Sequence, residues 1–282
     1  MKKIATLLLA AGLLFSAAGM AQAIDFKIRG QWIMAFDYGE HGAFTGGNGM
    51  TGYKKGNEDN FEARQRLRLQ LDAVASENLS GSVIFEMGDQ IWGQSATGGA
   101  LGADGTVVEV KNAWLDWMVP DTDIKVRMGL QGFFLPSMTT GSQVWGDDAA
   151  GITASWQINE NVALTALWAR LYNDNFQGYG DDGLRKNYMD NVDVAALLLP
   201  LTFDGFRLTP WAMYAGIGPN SLDADHANDW KSVGVSGIQY LAGMLPAGGA
   251  SHNSRMDLYG NAFWAGLTGE LTLPDPWRIA WD

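Results

Sequence analysis

The chain has 282 residues, a net charge of -12, no cysteine, 36 glycines and 12 tryptophans. The acidic balance argues against nucleic acid as a partner, because a phosphate backbone is bound by cations. The absence of cysteine excludes a disulfide framework. Hydrophobic residues make up 47% of the chain, although the mean hydropathy is only -0.08. This composition is typical of a β protein with many turns, and without a Pro-rich linker we expect one domain.

The first residues are typical of an export signal. Lys2 and Lys3 precede a mainly apolar run over 4–15, and residues 21–23 supply the small residues of a cleavage site. The run is shorter than the ~20 residues of a membrane-spanning helix, so we predict a cleaved signal peptide over 1–23. Loss of its two lysines changes the net charge from -12 to -14.

Strict alternation dominates the remaining chain. In 25–38 and 61–73, polar and apolar side chains occupy alternate positions, which sorts them onto the two faces of a strand but scatters them around a helix. Ile33 and Ala35 are exceptions, because they fall on the polar face of the first strand. We predict eleven strands, at 25–38, 61–73, 79–90, 107–119, 124–131, 150–158, 161–172, 191–200, 206–215, 257–271 and 277–282.

The connections between these strands alternate in length. Short turns at 76–78, 120–123, 159–161, 201–205 and 273–276 alternate with long segments at 39–59, 91–106, 132–149, 173–190 and 216–256. A secreted sandwich or jelly roll would show the same strand alternation. Strand length, loop asymmetry and the export signal together favour an all-β, antiparallel transmembrane β-barrel over 24–282.

Three stretches carry a resemblance to a known family. The segments VKNAWLDWMVPDTDIKVRMGLQ (110–131), GFFLPSMTTGSQVWGDD (132–148) and AFWAGLTGELTLPDPWRIAWD (262–282) resemble the homotrimeric outer-membrane porins of sulfate-reducing bacteria. The resemblance implies a sixteen-stranded trimeric general porin in the lipid bilayer of the bacterial outer membrane. Such a protein forms a water-filled channel through which small hydrophilic solutes and ions diffuse passively.

The resemblance also implies a constriction. In these porins the third long loop folds into the lumen and narrows it, and by position that loop is 132–149 here. Trp145, Asp147 and Asp148 are its predicted constriction residues.

The end of the sequence departs from that pattern. Single-chain bacterial barrels have an even number of strands, whereas this sequence stops at Trp281 and Asp282 inside an eleventh predicted strand. Unpaired edges are not hydrated within a bilayer, so we expect a chain that is incomplete at its C-terminus. A twelve-stranded barrel that closes here is the alternative.

The polar faces of the strands supply the predicted pore wall. Leu67, Leu69 and Leu71 would face lipid or a neighbouring subunit, because a cation at the bilayer midplane costs about 2–4 kcal/mol. We further hypothesise that Asp147 and Asp148 oppose the basic wall and set up a transverse field. The predicted pore-lining residues are Lys27, Arg29, Arg64, Arg66, Arg68, Glu86, Asp116, Lys125 and Arg127.

Other chemistries have weaker signals. The three histidines, His41, His226 and His252, lie in separate long loops, so no Ser-His-Asp arrangement is indicated and we expect no enzyme. The loop over 223–229 holds three aspartates but lacks the Gly and Glu of an EF-hand, which favours a solvated acidic loop over a calcium site. The glycines of 46–50 carry no P-loop lysine. We expect neither a cofactor nor a metal.

Two other membrane functions remain open. Six tryptophans in predicted strands would stack sugars in a carbohydrate-selective channel, or they would form the interfacial girdles common in barrels. A structural or adhesive barrel without transport is the further alternative. The six are Trp114, Trp117, Trp156, Trp168, Trp211 and Trp264.

Overall fold

The protein is described by a computed structural model, which covers residues 24–39, 60–102, 105, 108–142, 144–173, 191–218, 260–274 and 276–282. Regular structure in these ranges is β-strand, apart from one 3-10 turn at Ser95–Thr97. The predicted all-β class is therefore confirmed. The strands are β1 (Asp25–Gly39), β2 (Asn60–Ser76), β3 (Leu79–Ile91), β4 (Val108–Met118), β5 (Ile124–Phe134), β6 (Gly146–Gln157), β7 (Ala163–Asn173), β8 (Asn191–Leu198), β9 (Leu201–Phe203), β10 (Phe206–Ile217), β11 (Gly260–Thr272) and β12 (Arg278–Trp281).

These strands form one antiparallel sheet in which sequence neighbours pair. The order runs from β1 to β8 and then through β10, β11 and β12, while β9 pairs with β10. Among the described residues this order starts at β1 and ends at β12 without pairing between the two. Closure into a barrel, and the number of strands in it, stay predictions.

The strand β9 corrects the predicted turn over 201–205. Pro200 has no amide hydrogen for the ladder, so β8 stops just before it and the chain resumes pairing as β9. Phe203 and Phe206 stand opposite each other across the two-residue turn Asp204 and Gly205. Gly205 has a φ of +68°, and an Asp-Gly pair favours such a tight hairpin. The turn is therefore two residues long rather than five.

The described residues form two compact units. Those of the first lie within 1–76 and 81–113, and those of the second lie within 77–80 and 114–282. In the first unit, Trp32 lies opposite Leu67 on one face of β1 and β2, and Arg29 lies opposite Gln70 on the other. The predicted sorting of these two strands is confirmed.

In the second unit, one sheet face carries an apolar core. Ala169, Val194 and Ala215 stand side by side on β7, β8 and β10 and are all 0% exposed. We call this side the covered face and the opposite side the bare face. The bare face exposes large apolar side chains, with Leu197 at 56% and Phe263 at 75%.

Gly151 lies on the covered face where an aromatic ring approaches the sheet. It stands opposite Ala169, and its carbonyl accepts a hydrogen bond from Gln131 Nε2 at 3.2 Å. A Cβ at this position would lie 2.2 Å from the Trp168 carbonyl oxygen and 2.8 Å from Phe133 Cζ. Only glycine permits this approach of backbone and ring.

Replacement of Gly151 by alanine is therefore expected to destabilise the fold by about 1–3 kcal/mol, the usual range for overpacking. Gly30→Ala is the matched control, because the nearest atom to a Cβ at Gly30 is 3.7 Å away. Denaturant unfolding of the protein, followed by tryptophan fluorescence, measures both changes. Equal midpoints for the two variants would contradict the close approach at Gly151.

Candidate functional site

The predicted pore-lining arginines of the first unit lie on one face of β1, β2 and β3, which we call the charged face. Arg29 Nη2 is 2.7 Å from an Asp72 carboxylate oxygen, and Arg68 Nε donates to Glu86 at 2.5 Å. The other Asp72 carboxylate oxygen accepts hydrogen bonds from Ser82 Oγ at 2.7 Å and from the Gln70 side-chain amide at 2.6 Å. The acids that neutralise these arginines therefore come from the same or the next strand.

Lys27 and Arg64 make weaker pairs on the same face. Lys27 Nζ is 3.6 Å from Asp25, and both side chains are 63% exposed. Arg64 Nη2 is 3.2 Å from Asp37 and its Nε is 3.8 Å from Glu62. Exposed pairs of this kind contribute about 0–1 kcal/mol each, so the fold does not depend on them.

The contacts of β3 reveal a local irregularity. Arg68 forms an ion pair with Glu86. Arg66 lies two residues before Arg68 on β2, but it pairs with Asp89, which lies three residues after Glu86 on β3. The extra residue on β3 lies between Glu86 and Asp89, which is the two-against-one arrangement of a β-bulge. Beyond the bulge, the Gln65 side chain on the opposite face donates a hydrogen bond to a glutamine of β3, and this pairing shows the same shift of one residue.

In the second unit, Asp116 forms ion pairs with two cations. Arg127 Nε and Nη2 donate to its two carboxylate oxygens at 2.7 and 2.8 Å, and Lys125 Nζ is 3.1 Å away. The Arg127 guanidinium also lies over the Trp114 ring at 4.6 Å from its centroid. These three predicted wall residues thus form one cluster on the covered face of β4 and β5.

A segment between β5 and β6 crosses the covered face. We call residues 135–145 the strap, of which 143 lies outside the described residues. Leu135 and Trp145 are 3% and 2% exposed, and the Leu135 amide donates to the Trp145 carbonyl at 3.1 Å. Trp145 stacks on Phe133 with ring centroids 5.4 Å apart. Both ends of the strap are therefore buried in the apolar core.

The middle of the strap is held by Asp282. The Asp282 carboxylate accepts hydrogen bonds from Ser137 Oγ at 2.8 Å and from the Met138 amide at 2.7 Å. The Thr139 hydroxyl donates to the same carboxylate. Hydrogen bonds to a charged acceptor contribute about 1.5–3 kcal/mol when they are well formed, so this carboxylate fixes three consecutive strap residues.

The last two strands add further contacts to the strap. Arg278 Nη2 donates to the Met138 carbonyl at 3.0 Å, and Arg278 Nε is 3.2 Å from Glu270. Thr268, which is 1% exposed, donates to the Pro136 carbonyl at 3.2 Å. The strap therefore reaches from β5 to β11 and β12 across the covered face.

The predicted constriction loop is corrected in its extent. β5 continues to Phe134 and β6 begins at Gly146, so Asp147 and Asp148 lie in β6, opposite Phe133 and Gly132. Their assignment to the loop is wrong, because backbone pairing between β5 and β6 continues past Gly132 as far as Phe134 and Gly146. The hypothesis of a transverse field assumed that these two carboxylates lie in an inward-folded loop, and that assumption does not hold.

Trp145 does belong to the strap, but its side chain packs in the core. The acids that face the arginines of the charged face are instead those of β1, β2 and β3 described above. The charge arrangement on this face is thus a set of short-range pairs between neighbouring strands.

Sequence reasoning missed the anchoring residues Asp282, Arg278 and Thr268. No local motif marks them, since their partners lie more than 130 positions away in sequence. Arg170 of β7 stands opposite Asp193 of β8. That guanidinium makes a bidentate pair with Asp193 at 2.9 and 3.0 Å on the bare face, which neutralises it.

The six tryptophans separate into different environments. Trp211 is 9% exposed and packs in the core together with the partly buried Trp264, whereas Trp114 lies against Arg127. Trp117, Trp156 and Trp168 are 40–46% exposed. A continuous stacking platform of all six is therefore not formed.

Several predictions concern residues outside the described ranges. These are the signal peptide over 1–23, the three histidines, the glycines of 46–50 and the acidic loop over 223–229. Within the described ranges, no group of three or more potential ligands is placed to hold a metal ion. No helix in the same ranges has the length and apolar character needed to cross a bilayer.

A comparison with models of known protein families finds no match, and a comparison with curated proteins finds no significant similarity.

The anchor at Asp282 gives a testable expectation. Asp282→Ala removes the acceptor of three hydrogen bonds, so the strap should open more often and a cysteine introduced at Met138 should react with a maleimide about tenfold faster. Because the natural chain has no cysteine, the label reports this position alone. Glu160→Gln, in a short turn, is the control, and an unchanged rate in Asp282→Ala would contradict the anchoring role.

Proposed function

We propose that this chain is the subunit of a bacterial outer-membrane porin, a water-filled channel for passive diffusion of small hydrophilic solutes and ions. In this proposal the strands close into a transmembrane barrel, and three copies associate in the lipid bilayer. The trimer and the sulfate-reducer type of porin rest on the sequence resemblance alone. The channel function rests on the two unlike faces of the strands.

The observation that carries the proposal is the exposure of large apolar side chains along whole strands. On β1, Ile28 and Trp32 are 68% and 64% exposed, and on the bare face of the second unit Phe263 and Leu267 are 75% and 50% exposed. Each such side chain gains about 1.5–3 kcal/mol when it leaves water. Soluble monomers rarely expose contiguous apolar patches of this kind, whereas the lipid-facing side of a barrel strand requires them.

The charged face supports an aqueous interior. Its cations and carboxylates remain partly exposed, with Arg64 at 45% and Asp89 at 60%, and ionised groups in this state need water. Charges of both signs line the same wall at short distances. Such a wall favours hydrated solutes over apolar ones and selects weakly between cations and anions, as in a general diffusion channel.

The strap supports a narrowed passage. It covers the face of the second unit that carries Asp116, Lys125 and Arg127, and it does so with both ends buried. In a closed barrel this segment would occupy part of the interior cross-section. The proposed role of the strap is to set the size of the passage.

The direct test is conductance. The full-length protein, folded in detergent and added to a planar lipid bilayer, should give water-filled, weakly selective current steps in groups of three. A saturable block by a saccharide would instead favour a carbohydrate-selective channel. Correctly folded protein without any conductance would reject transport and favour a structural or adhesive barrel.

The assignment of the two faces is tested by adjacent substitutions on β2. Leu69→Arg places a cation on the apolar face, and it should lower the stability of the membrane-inserted protein by about 2–4 kcal/mol. Gln70→Arg places the same cation on the charged face and should change it by less than about 1 kcal/mol. Denaturant unfolding from lipid vesicles measures both variants, and equal losses would contradict a lipid-facing Leu69.

Ion selectivity provides a second expectation. Replacing Arg64, Arg66 and Arg68 by alanine should shift the reversal potential toward cations at low salt, because their partner carboxylates lose compensation. Neutralising Glu86 and Asp89 with Gln and Asn should shift it toward anions. Both shifts should shrink near 1 M salt, where the Debye length falls to about 3 Å.

The control for selectivity is a residue of the other face. Leu67→Ala removes no charge and should leave the reversal potential unchanged. Shifts of the same sign in the arginine and carboxylate variants, with conductance retained, would mean that these residues do not line the passage.

A further inference from the structure

A small cleft opens on the charged face of the first unit. Its volume is about 200 Å³, and its lining includes Ile33, Ala35, Arg64, Arg66 and Asp89. Ile33 and Ala35 are the two positions at which the polar alternation of β1 fails, and they stand opposite Arg66 and Arg64. Smaller, apolar side chains at these positions leave space above the guanidinium groups.

The β-bulge of β3 separates the charges that border this cleft. Arg66 Nη1 is 3.7 Å from Asp89, which exceeds hydrogen-bond length, and Arg66 Nε is buried without a hydrogen-bond partner among the described residues. By contrast, Arg68 and Arg29 have carboxylates within 2.5 and 2.7 Å. Arg66 is therefore held by one loose ion pair.

The other charges around the cleft largely compensate one another. Arg64 is flanked by Asp37 and Glu62, and Arg68 by Glu86. Among the described residues around the cleft, the remaining ionised groups are one cation, Arg66, and one carboxylate, Asp89, which is 60% exposed. A lone anion in the cleft would meet the Asp89 carboxylate, and a lone cation would meet the Arg66 guanidinium.

We propose that this cleft binds small zwitterions that carry a carboxylate and an ammonium group, as in free α-amino acids. The solute carboxylate pairs with the guanidinium group of Arg66, and its ammonium group pairs with Asp89. The cleft volume of about 200 Å³ suits a solute as small as alanine. The proposal rests on the diffusion channel proposed above and adds a solute-binding step on its wall.

The test uses the full-length protein folded in detergent and L-alanine as the probe. Saturation-transfer NMR should show saturable alanine binding, with acetate and ethylammonium binding at least about tenfold more weakly, because each satisfies only one of the two charges. Arg66→Gln and Asp89→Asn should each weaken alanine binding about tenfold. Arg29→Gln, on the same face but away from the cleft, should retain it.

A second variant keeps the test independent of charge. Ala35→Leu fills the cleft without changing any ionised group, and it should abolish saturable alanine binding while the protein stays folded. Acetate that binds as well as alanine would overturn the proposal in favour of an anion site. No saturable binding by any probe would also overturn it.

Conductance separates this proposal from the channel itself. In bilayers, alanine should reduce the wild-type current saturably and should not do so in Ala35→Leu. Normal conductance with no effect of alanine would contradict the cleft proposal but not the channel. Alanine binding in detergent without any conductance would contradict the channel but not the binding cleft.

Discussion

The structure depends on the two-residue period of its strands, which keeps ionised side chains on one face and large apolar side chains on the other. A shift of one residue in the pairing of β1 with β2 would move the charged side chains of one strand to the opposite side from those of the other. The ion pairs that cross the two strands, Arg29 with Asp72 and Arg64 with Asp37, would then be lost. Pairing of Trp32 with Leu67 and of Arg29 with Gln70 therefore fixes one register.

The second unit applies the same period with a different result. Its covered face carries the Asp116 cluster on β4 and β5, but on β7, β8 and β10 it carries an apolar core beneath the strap. Ala169, Val194 and Ala215 are inaccessible to solvent there. One face of a sheet can thus be charged in one part and apolar in another, because the strap packs over the apolar part and shields it from solvent.

The strap and the charged face have different physical roles in the proposed channel. The strap is held by burial at its ends and by the Asp282 carboxylate at its middle, so its position depends on contacts between segments remote in sequence. The charged face is formed by short-range pairs between neighbouring strands. Where the ion pairs are short, each charge is neutralised by its neighbour. Where the bulge separates Arg66 from Asp89, the two groups can instead pair with the proposed polar solute.

The sequence by itself determined the all-β class, the strand positions to within a few residues, and the faces of β1 and β2, because strand periodicity is a local property that each segment carries alone. It did not determine the ends of β5 and β6, the short strand β9, or the anchoring of the strap by Asp282. Those features depend on backbone pairing and hydrogen bonds between residues far apart in the chain. The sequence also could not predict which tryptophans are buried, since Trp211 and Trp168 both alternate with similar neighbours in their strands. Trp211 is buried and Trp168 is exposed. The burial of a strand face depends on which segment covers it, and that is set by the tertiary structure.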